Sequence, residues 1–297
     1  MELKDCTLCA RSCHVNRSAG QKGYCGFDDR IYVARAALHM WEEPVISGKR
    51  GSGTVFFSGC SLKCVYCQNH SIAIGSTGKE VSIERLADIF LELQEKGAHN
   101  INLVTPTHYV PQITRAIYRA KCSGLSLPIV YNTASYENED TIRMLEGMVD
   151  IYLADLKYKD SNLSLKYSNA PDYFKVAASA IAQMYNQAGI PKLDADGMLK
   201  KGLIVRHLVL PGFTEDSKNV IKYLYDTYEN NIFYSIMNQY TPLPHVASYP
   251  EINRRVTESE YDEVVDYAVE IGVENGFIQE GETAEESFIP EFDMEGI

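Results

Sequence analysis

No stretch of the 297 residues is long and apolar enough to cross a bilayer. The first residues, Met1-Glu2-Leu3-Lys4-Asp5-Cys6, carry no apolar core of the kind a secretory leader needs. Both absences lead to the expectation of a cytoplasmic protein with no membrane partner. Positive charge is scarce as well: 28 Lys and Arg stand against 40 Asp and Glu, a formal net charge of −12. An acidic surface of this kind argues against a broad grip on nucleic-acid phosphates. Acidic residues are dense near the end, at Glu280, Glu282, Glu285, Glu286, Glu291, Asp293 and Glu295, and residues 273–297 read as a solvated acidic tail. Neither an internal repeat nor a long low-complexity segment is present.

With 45% hydrophobic residues, the chain can build one large α/β domain or two ordinary ones. From residue 54 onward, short apolar runs alternate with segments of helical period, the sequence form of a parallel βαβ fold. Strands are predicted near 54–58, 100–104, 127–131, 150–153, 203–210 and 233–237. One helix is predicted to begin at Ser82, whose hydroxyl caps a face of Ile83, Leu86, Phe90 and Leu93, and to stop at Gly97. Others are predicted over about 111–121, 137–147, 173–188 and 216–228. A last helix starts at Thr257, which forms a capping box with Glu260, and ends near Gly272. Residues 160–171 and 191–201 read as loops. Six strand–helix units are too few for the closed eight-stranded barrel. Right-handed crossovers put all the strand C-termini at one mouth.

The eight cysteines fall as four, three and one. A reducing compartment disfavours disulfides, so the clustering points to metal ligation. Cys60, Cys64 and Cys67 follow the apolar run Thr54-Val55-Phe56-Phe57-Ser58, with Gly59 at the turn out of the strand. They are one thiolate short of the four that usually hold an iron–sulfur cube, and no nearby cysteine fills the gap. A cubane on three ligands keeps one iron open to a non-protein group. The competing reading is a zinc site with His70 as fourth ligand; zinc knuckles favour C-x2-C pairs on short hairpins, which this triplet is not. Upstream, Cys6, Cys9, Cys13 and Cys25 form C-x2-C-x3-C-x11-C. Their segment is too short to bury a core of its own, so a metal would help fold it. A structural zinc, an auxiliary iron–sulfur cluster and a single rubredoxin-like iron all suit four thiolates. Cys122 reads as an ordinary thiol.

The C-x3-C-x-aromatic-C spacing of residues 60–67, directly after a buried-type strand, resembles the signature of the radical SAM superfamily. Further strings extend the resemblance over nearly the whole chain, toward the subgroup similar to pyruvate formate-lyase activating enzyme. They are His39-Met40-Trp41-Glu42-Glu43-Pro44, residues 51–60, the N-terminal cysteine quartet, Val104-Thr105-Pro106-Thr107-His108-Tyr109 and Tyr131-Asn132-Thr133. The resemblance implies an α/β fold: a partial (β/α)6 TIM-like barrel over residues 51–272, preceded by a small Cys-rich metal-binding extension in residues 1–50. It implies a [4Fe–4S] cluster on Cys60, Cys64 and Cys67 whose open iron binds S-adenosylmethionine (SAM), and reductive cleavage of SAM to a 5′-deoxyadenosyl radical. The implied task is hydrogen abstraction from a glycine of a glycyl-radical protein, with a flavodoxin or ferredoxin as electron donor. A small-molecule or peptide substrate is the alternative, and a scaffold that keeps its cluster without cleaving SAM is a third.

The resemblance also assigns roles. Tyr66 is the aromatic that packs beside the adenine. Most members carry a Gly-Gly-Glu-Pro-like segment after the second strand; Val104–Tyr109 has no glutamate, leaving Thr105 and Thr107 to accept from the methionine amino group. His108 reads equally as a proton donor, an electron-path residue or a satisfied structural histidine. Asp155 and Lys157, two apart at a strand end, share a face. By the resemblance Lys157 meets the SAM carboxylate, while Asn132, Thr133, Asp155 and the Leu153 carbonyl hold a monovalent cation. An ordinary ion pair is the plainer alternative. Arg206 and His207 interrupt the apolar fifth strand, and a buried charge there needs a partner. One geometry aims Arg206 into the barrel, toward the SAM carboxylate or ribose, and His207 toward the helices. Gln239 and Tyr240 are candidates for ribose or adenine. Gln68 and Asn69 suit either the cluster sulfides or a helix cap.

Overall fold

The runs read as strands pair into one sheet in the computed structural model, which describes residues 3–279 and 290–297. In chain order the elements are β1 (Ile31–His39), α1 (Pro44–Ser47), β2 (Ser52–Phe57), α2 (His70–Ala73), β3 (Lys79–Val81), α3 (Ile83–Glu95), β4 (Ile101–Val104), α4 (Val110–Cys122), β5 (Ile129–Thr133) and α5 (Glu139–Arg143). They continue with β6 (Ile151–Asp155), α6 (Ser161–Ser168), α7 (Tyr173–Ala188), β7 (Lys192–Leu193), β8 (Leu199–Leu208), α8 (Thr214–Tyr228), β9 (Phe233–Met237), α9 (Glu258–Glu270) and β10 (Gly276–Ile278).

The strand order is β10-β9-β8-β6-β5-β4-β2-β1-β3, with β7 added to β8 as a short hairpin. From β2 through β10 the neighbours on this path are all parallel. Among the described residues the two ends of the order do not pair, so the α/β sheet curls into the expected partial barrel and stays open. Every residue of β2, β4 and β5 is buried, as a parallel strand covered on both faces requires. The helical faces follow the same logic. Ser82 accepts from the Arg85 N–H at the start of α3, whose Leu86, Ala87, Ile89, Phe90 and Leu93 are buried. Thr257 and Glu260 form the expected capping box at α9.

The structure differs from the sequence reading in four places. β1, β3 and β10 are additional: β1 lies antiparallel to β2 and β3, and β10 extends the far edge. The helix expected over 137–147 shrinks to α5 because Glu137 turns inward, where Thr107, Tyr131 and Thr133 donate to its carboxylate. The loop expected at 160–171 contains α6, capped by Asp160, and that at 191–201 is the β7–β8 hairpin. The segment 273–297, expected as a solvated tail, is bound at both of its described ends; Glu280, Glu282, Glu285 and Glu286 lie outside the described residues. Met294 N–H donates to the Ala34 carbonyl at 3.1 Å and Ala36 N–H to the Glu295 carbonyl at 2.8 Å, so residues 290–297 run along the free edge of β1. Arg35 pairs with Asp293 at 2.7 Å and with Glu295. Among the described residues no helix is long and apolar enough to cross a membrane.

The alternation of β8 separates its two polar residues. His207 faces outward and is buried, with Nδ1 2.8 Å from the Leu156 carbonyl and Nε2 2.9 Å from Ser217 Oγ on α8. Burial pushes its pKa down to about 4. Below an unfolded value of about 6.5 the unfolded chain binds a proton that the folded chain refuses. The contribution of a neutral His207 is therefore complete above that value and is lost as pH falls toward the folded one. Replacement of His207 by Gln is expected to flatten the pH dependence of the unfolding free energy between pH ~4.5 and ~6 by up to about 1.4 kcal/mol per pH unit. Urea unfolding across this range measures it; parallel slopes for the two proteins would place the proton on His207 in the fold as well.

Candidate active site

The C-terminal ends of the parallel strands surround one cavity of about 220 Å³. β2 leads into it and ends at Gly59, where a φ of +96° turns the chain sharply. A Cβ at Gly59 would lie 2.6 Å from the Phe27 ring and 2.8 Å from His108 Nε2, so only glycine fits. The turn brings Cys60, Cys64 and Cys67 together onto the cavity wall. Leu62 N–H points at Cys60 Sγ at 3.4 Å, Ser168 Oγ lies 3.0 Å from Cys64 Sγ, and Cys67 N–H donates to the Cys64 carbonyl at 3.1 Å. Burial raises the Cys64 and Cys67 thiols, while Lys157 opposes that rise in both. Cys60 and Cys64 also raise Cys67, so the three sulfurs share one electrostatic environment. Three mutually coupled thiols around one cavity suit a multi-iron group with one iron left over. His70, the fourth ligand of the zinc reading, stacks on His245 with ring centroids 4.2 Å apart and does not line this wall.

Charged groups from β6, β8 and the connection after β1 meet at another part of the wall. Arg206 donates from Nε to Asp155 Oδ1 at 2.9 Å, from Nη1 to Glu42 Oε2 at 3.1 Å and from Nη2 to Asn132 Oδ1 at 2.6 Å. Lys157 Nζ holds the other Asp155 oxygen at 2.8 Å. Asn102 and Asn132 donate to Glu42 Oε1 at 3.0 and 3.3 Å. Burial pushes Asp155 up, yet Arg206 and Lys157 together hold it below the usual carboxylate range. Burial raises Glu42 despite the same guanidinium. His39, also on the wall, is pushed down to about 4 by burial and by Arg35 and Arg206.

Tyr66, Thr105, Asn132, Thr133, Asp155, Lys157, Arg206 and Gln239 all line this cavity. Tyr66 is buried edge-on among Tyr158, Tyr167 and Tyr240, with centroids 6.0 to 6.4 Å away. Its hydroxyl accepts from Tyr158 at 2.7 Å, and Tyr158 meets Ser168 Oγ at 2.9 Å, which extends a polar chain to Cys64. Thr105 sits at φ +59°, a strained conformation for a β-branched residue. Thr107 does not line the cavity, and its hydroxyl donates to Glu137 at 2.9 Å. The Thr133 hydroxyl also donates to Glu137. His108 lies beneath the cysteine loop, with Nε2 2.8 Å from the Ser58 carbonyl, and burial pushes it down to about 3. Gln68 donates to the Gln239 carbonyl at 2.7 Å, and Asn69 precedes α2 without a side-chain cap bond. Tyr240 is turned away, donating to the Ile252 carbonyl at 2.7 Å. Glu42, Trp41, His39 and Pro290 also line the wall without being sequence candidates. A Glu-Glu-Pro string carries no local mark of burial.

The other four cysteines form a lobe beside the Cys60–Cys67 loop. Gly23 lies against two of them: a Cβ there would be 3.4 Å from Cys13 Sγ and 3.8 Å from Cys25 Sγ. Tyr24 N–H donates to Cys13 Sγ at 3.3 Å. Burial pushes Cys9 up to about 12, with Cys25, Cys13 and Cys6 adding to the rise. Asn138 donates to the Thr7 and Cys9 carbonyls, at 2.7 and 3.1 Å, and so docks the lobe on the start of α5. Among the described residues, no three His, Cys, Asp or Glu groups gather closely enough to hold a single ion.

Comparison with known proteins agrees with this geometry. The profile of the radical SAM superfamily matches residues 54–224. An uncharacterized protein of Methanocaldococcus jannaschii is 28% identical over 278 residues, 90% of this chain and 75% of that one. A pyruvate formate-lyase-activating enzyme of Staphylococcus epidermidis is 21% identical over 181 residues, 57% of this chain and 65% of the enzyme. Among solved structures, methylornithine synthase superposes with a TM-score of 0.50 at 12% identity, covering 71% of this chain and 59% of that one. HydG, a maturase of the [FeFe]-hydrogenase, superposes with a TM-score of 0.52 at 14% identity, covering 77% and 52%. The two solved structures share the fold; the chain spans between half and three fifths of their length, and just under two thirds of the activating enzyme.

The charge network generates a stability prediction. The side chains of Arg206, Asp155 and Glu42 are only 15%, 14% and 9% exposed, so, among the described residues, removal of the guanidinium leaves Glu42 without a cation and Asp155 with Lys157 alone. Arg206→Met is expected to cost about 3–5 kcal/mol in denaturant unfolding, and adding Glu42→Gln to recover part of it. A loss below about 1 kcal/mol would mean that water already screens the network.

Proposed function

The chain belongs to the radical SAM superfamily, and from that premise we propose that its cavity holds a [4Fe–4S] cluster on Cys60, Cys64 and Cys67, with SAM on the iron that no cysteine reaches. One observation carries the reading: the three thiols and the Asp155–Lys157 pair line the same cavity. When bound, the cluster supplies the electron that cleaves the SAM sulfonium to a 5′-deoxyadenosyl radical.

The residues around it bind, orient and keep water out. Lys157, steadied by Asp155, presents a compact cation to the SAM carboxylate. Thr105 accepts from the amino group, Tyr66 walls the adenine and Gln239 meets the ribose. Arg206 joins Asn132 to Asp155, so its guanidinium supplies the positive charge for which a monovalent cation was expected. Phe56, Val104, Leu208 and Met237 line the rest of the wall with apolar surface, which protects a radical from side reactions. In this reading the Cys6, Cys9, Cys13 and Cys25 lobe holds a second iron–sulfur cluster rather than a single zinc ion, for which no three ligands among the described residues gather closely enough; the support is four thiols in one short segment, two of them packed on Gly23.

The substrate in the first reading is a glycine of a partner protein, supported by the similarity to the activating enzyme. A small polar molecule is the second reading. It is supported by the wall itself, where His39, Trp41, Glu42 and Pro290 add polar and aromatic contacts beyond the proposed SAM site. A flavodoxin or ferredoxin supplies the electron in either case.

Anaerobic reconstitution with iron and sulfide, followed by spin resonance of the reduced protein, tests the core of the reading. A [4Fe–4S]+ signal that changes on adding SAM is expected; a signal indifferent to SAM would overturn it. Lys157→Met is expected to weaken SAM binding by roughly tenfold or more while leaving the iron count unchanged. Co-incubation with a glycyl-radical enzyme separates the substrates: a glycyl doublet supports the first reading, and 5′-deoxyadenosine release that depends on a small molecule supports the second.

A further inference from the structure

Arg11 lies between Cys9 and Cys13, and its two ends serve different cysteine groups. Its backbone stands two residues from Cys9 and two from Cys13, inside the lobe. Its guanidinium leaves the lobe altogether and donates to three carbonyls: Nε to Ser61 at 2.9 Å, Nη1 to Asn169 at 2.5 Å and Nη2 to Ser168 at 3.0 Å. Ser61 belongs to the Cys60–Cys67 loop. Ser168 and Asn169 end α6, where carbonyls without helical partners favour a cation. The Ser168 hydroxyl in turn contacts Cys64 Sγ at 3.0 Å. Tyr24 and Tyr136 stack on the guanidinium, 4.1 and 5.1 Å from its carbon, and fix its plane. Reaching three carbonyls on two segments requires the planar fork of arginine; a lysine ammonium has one centre and cannot span them.

We propose that Arg11 is a positioning residue that couples the state of the N-terminal thiol lobe to the Cys60–Cys67 loop. The path runs from the Arg11 backbone, fixed in the chain between Cys9 and Cys13, through its guanidinium to Ser61 and Ser168, and from Ser168 to Cys64. A metal that draws the four thiolates together anchors the Arg11 backbone, and the anchored fork then holds the loop in its cluster-ready form. An emptied lobe frees the fork, and the loop loosens. The proposal rests on the reading of both thiol groups as metal sites.

The test compares wild type, Arg11→Gln, Arg11→Lys, Cys13→Ser and the double variant of Arg11→Gln with Cys13→Ser, all reconstituted without oxygen. The readouts are iron and zinc content, the rate at which a chelator removes the cluster, and hydrogen exchange of residues 60–67 in the metal-free proteins. Arg11→Gln is expected to lose its cluster roughly tenfold faster and Arg11→Lys nearly as fast, the scale of losing charge-assisted hydrogen bonds. Exchange in residues 60–67 is expected to rise in Arg11→Gln even with no cluster present, which separates this proposal from the cluster reading. Cys13→Ser is expected to speed loss in the wild-type background and to add nothing to Arg11→Gln. Independent, multiplying effects would overturn the coupling, as would wild-type exchange in Arg11→Gln. A wild-type lobe that takes up no metal would overturn both the coupling and the quartet reading, while leaving the cluster reading intact.

Discussion

The burial of one guanidinium organises this molecule. Arg206 sits in a strand with parallel neighbours on both sides, where an unpaired charge is prohibitive and a paired one must be met by groups in the right places. Asp155 stands opposite it in the β6–β8 register, which fixes those strands against one another. Glu42 arrives from outside the barrel, carried by the connection between β1 and α1. The N-terminal extension is thereby bound to the barrel interior by a desolvated ion pair as well as by the β1–β2 ladder. Lys157 takes the Asp155 oxygen that Arg206 leaves, so a cation that opposes the rise of the Cys64 and Cys67 thiols depends on the same arrangement.

Backbone strain gathers at the mouth of the cavity. Gly59, Lys63, Thr105 and Ser135 all have positive φ, at +96°, +54°, +59° and +61°. They follow the first parallel strands, where the chain must leave a strand abruptly and still present side chains to one space. Three of the four are not glycine, and such conformations persist only where surrounding contacts enforce them. Two such contacts are hydrogen bonds at the strand ends: Thr105 N–H donates to the Asn132 carbonyl at 2.9 Å, and Ser135 N–H to Thr133 Oγ1 at 3.1 Å.

Strand and helix periodicity made the barrel legible, because a parallel strand buried on both faces is written as an unbroken apolar run. The run of β9 and the helix α7 match their expected bounds, and the cap residues Ser82 and Thr257 act as their sequence contexts imply. The cysteine triplet and the Asp155–Lys157 pair were legible because their spacing is local. Other features depend on contacts distant in sequence. Glu42 meets Arg206 across 164 positions, and nothing in its neighbours marks it as buried. Thr107 looked like a partner for a ligand, yet it serves Glu137, a carboxylate hidden inside what reads as a helix. β1 alternates too loosely to announce itself, since it is covered on one edge by β2 and on the other by β3 and by residues from the far end of the chain.

That last pairing has a kinetic consequence. The contact of Arg35 with Glu295 closes a sequence separation of 260 residues. Loop closure over such a distance is entropically costly and gains nothing until the intervening strands are assembled. The outer edge of β1 is therefore expected to be covered late in folding, after β2, β4 and β5 have formed their ladders. Until then it offers unpaired N–H and C=O groups beside an apolar face, the geometry through which incomplete sheets stick to one another. Protection of that edge separates two populations of the same chain, one that has finished folding and one that is only stable enough to aggregate.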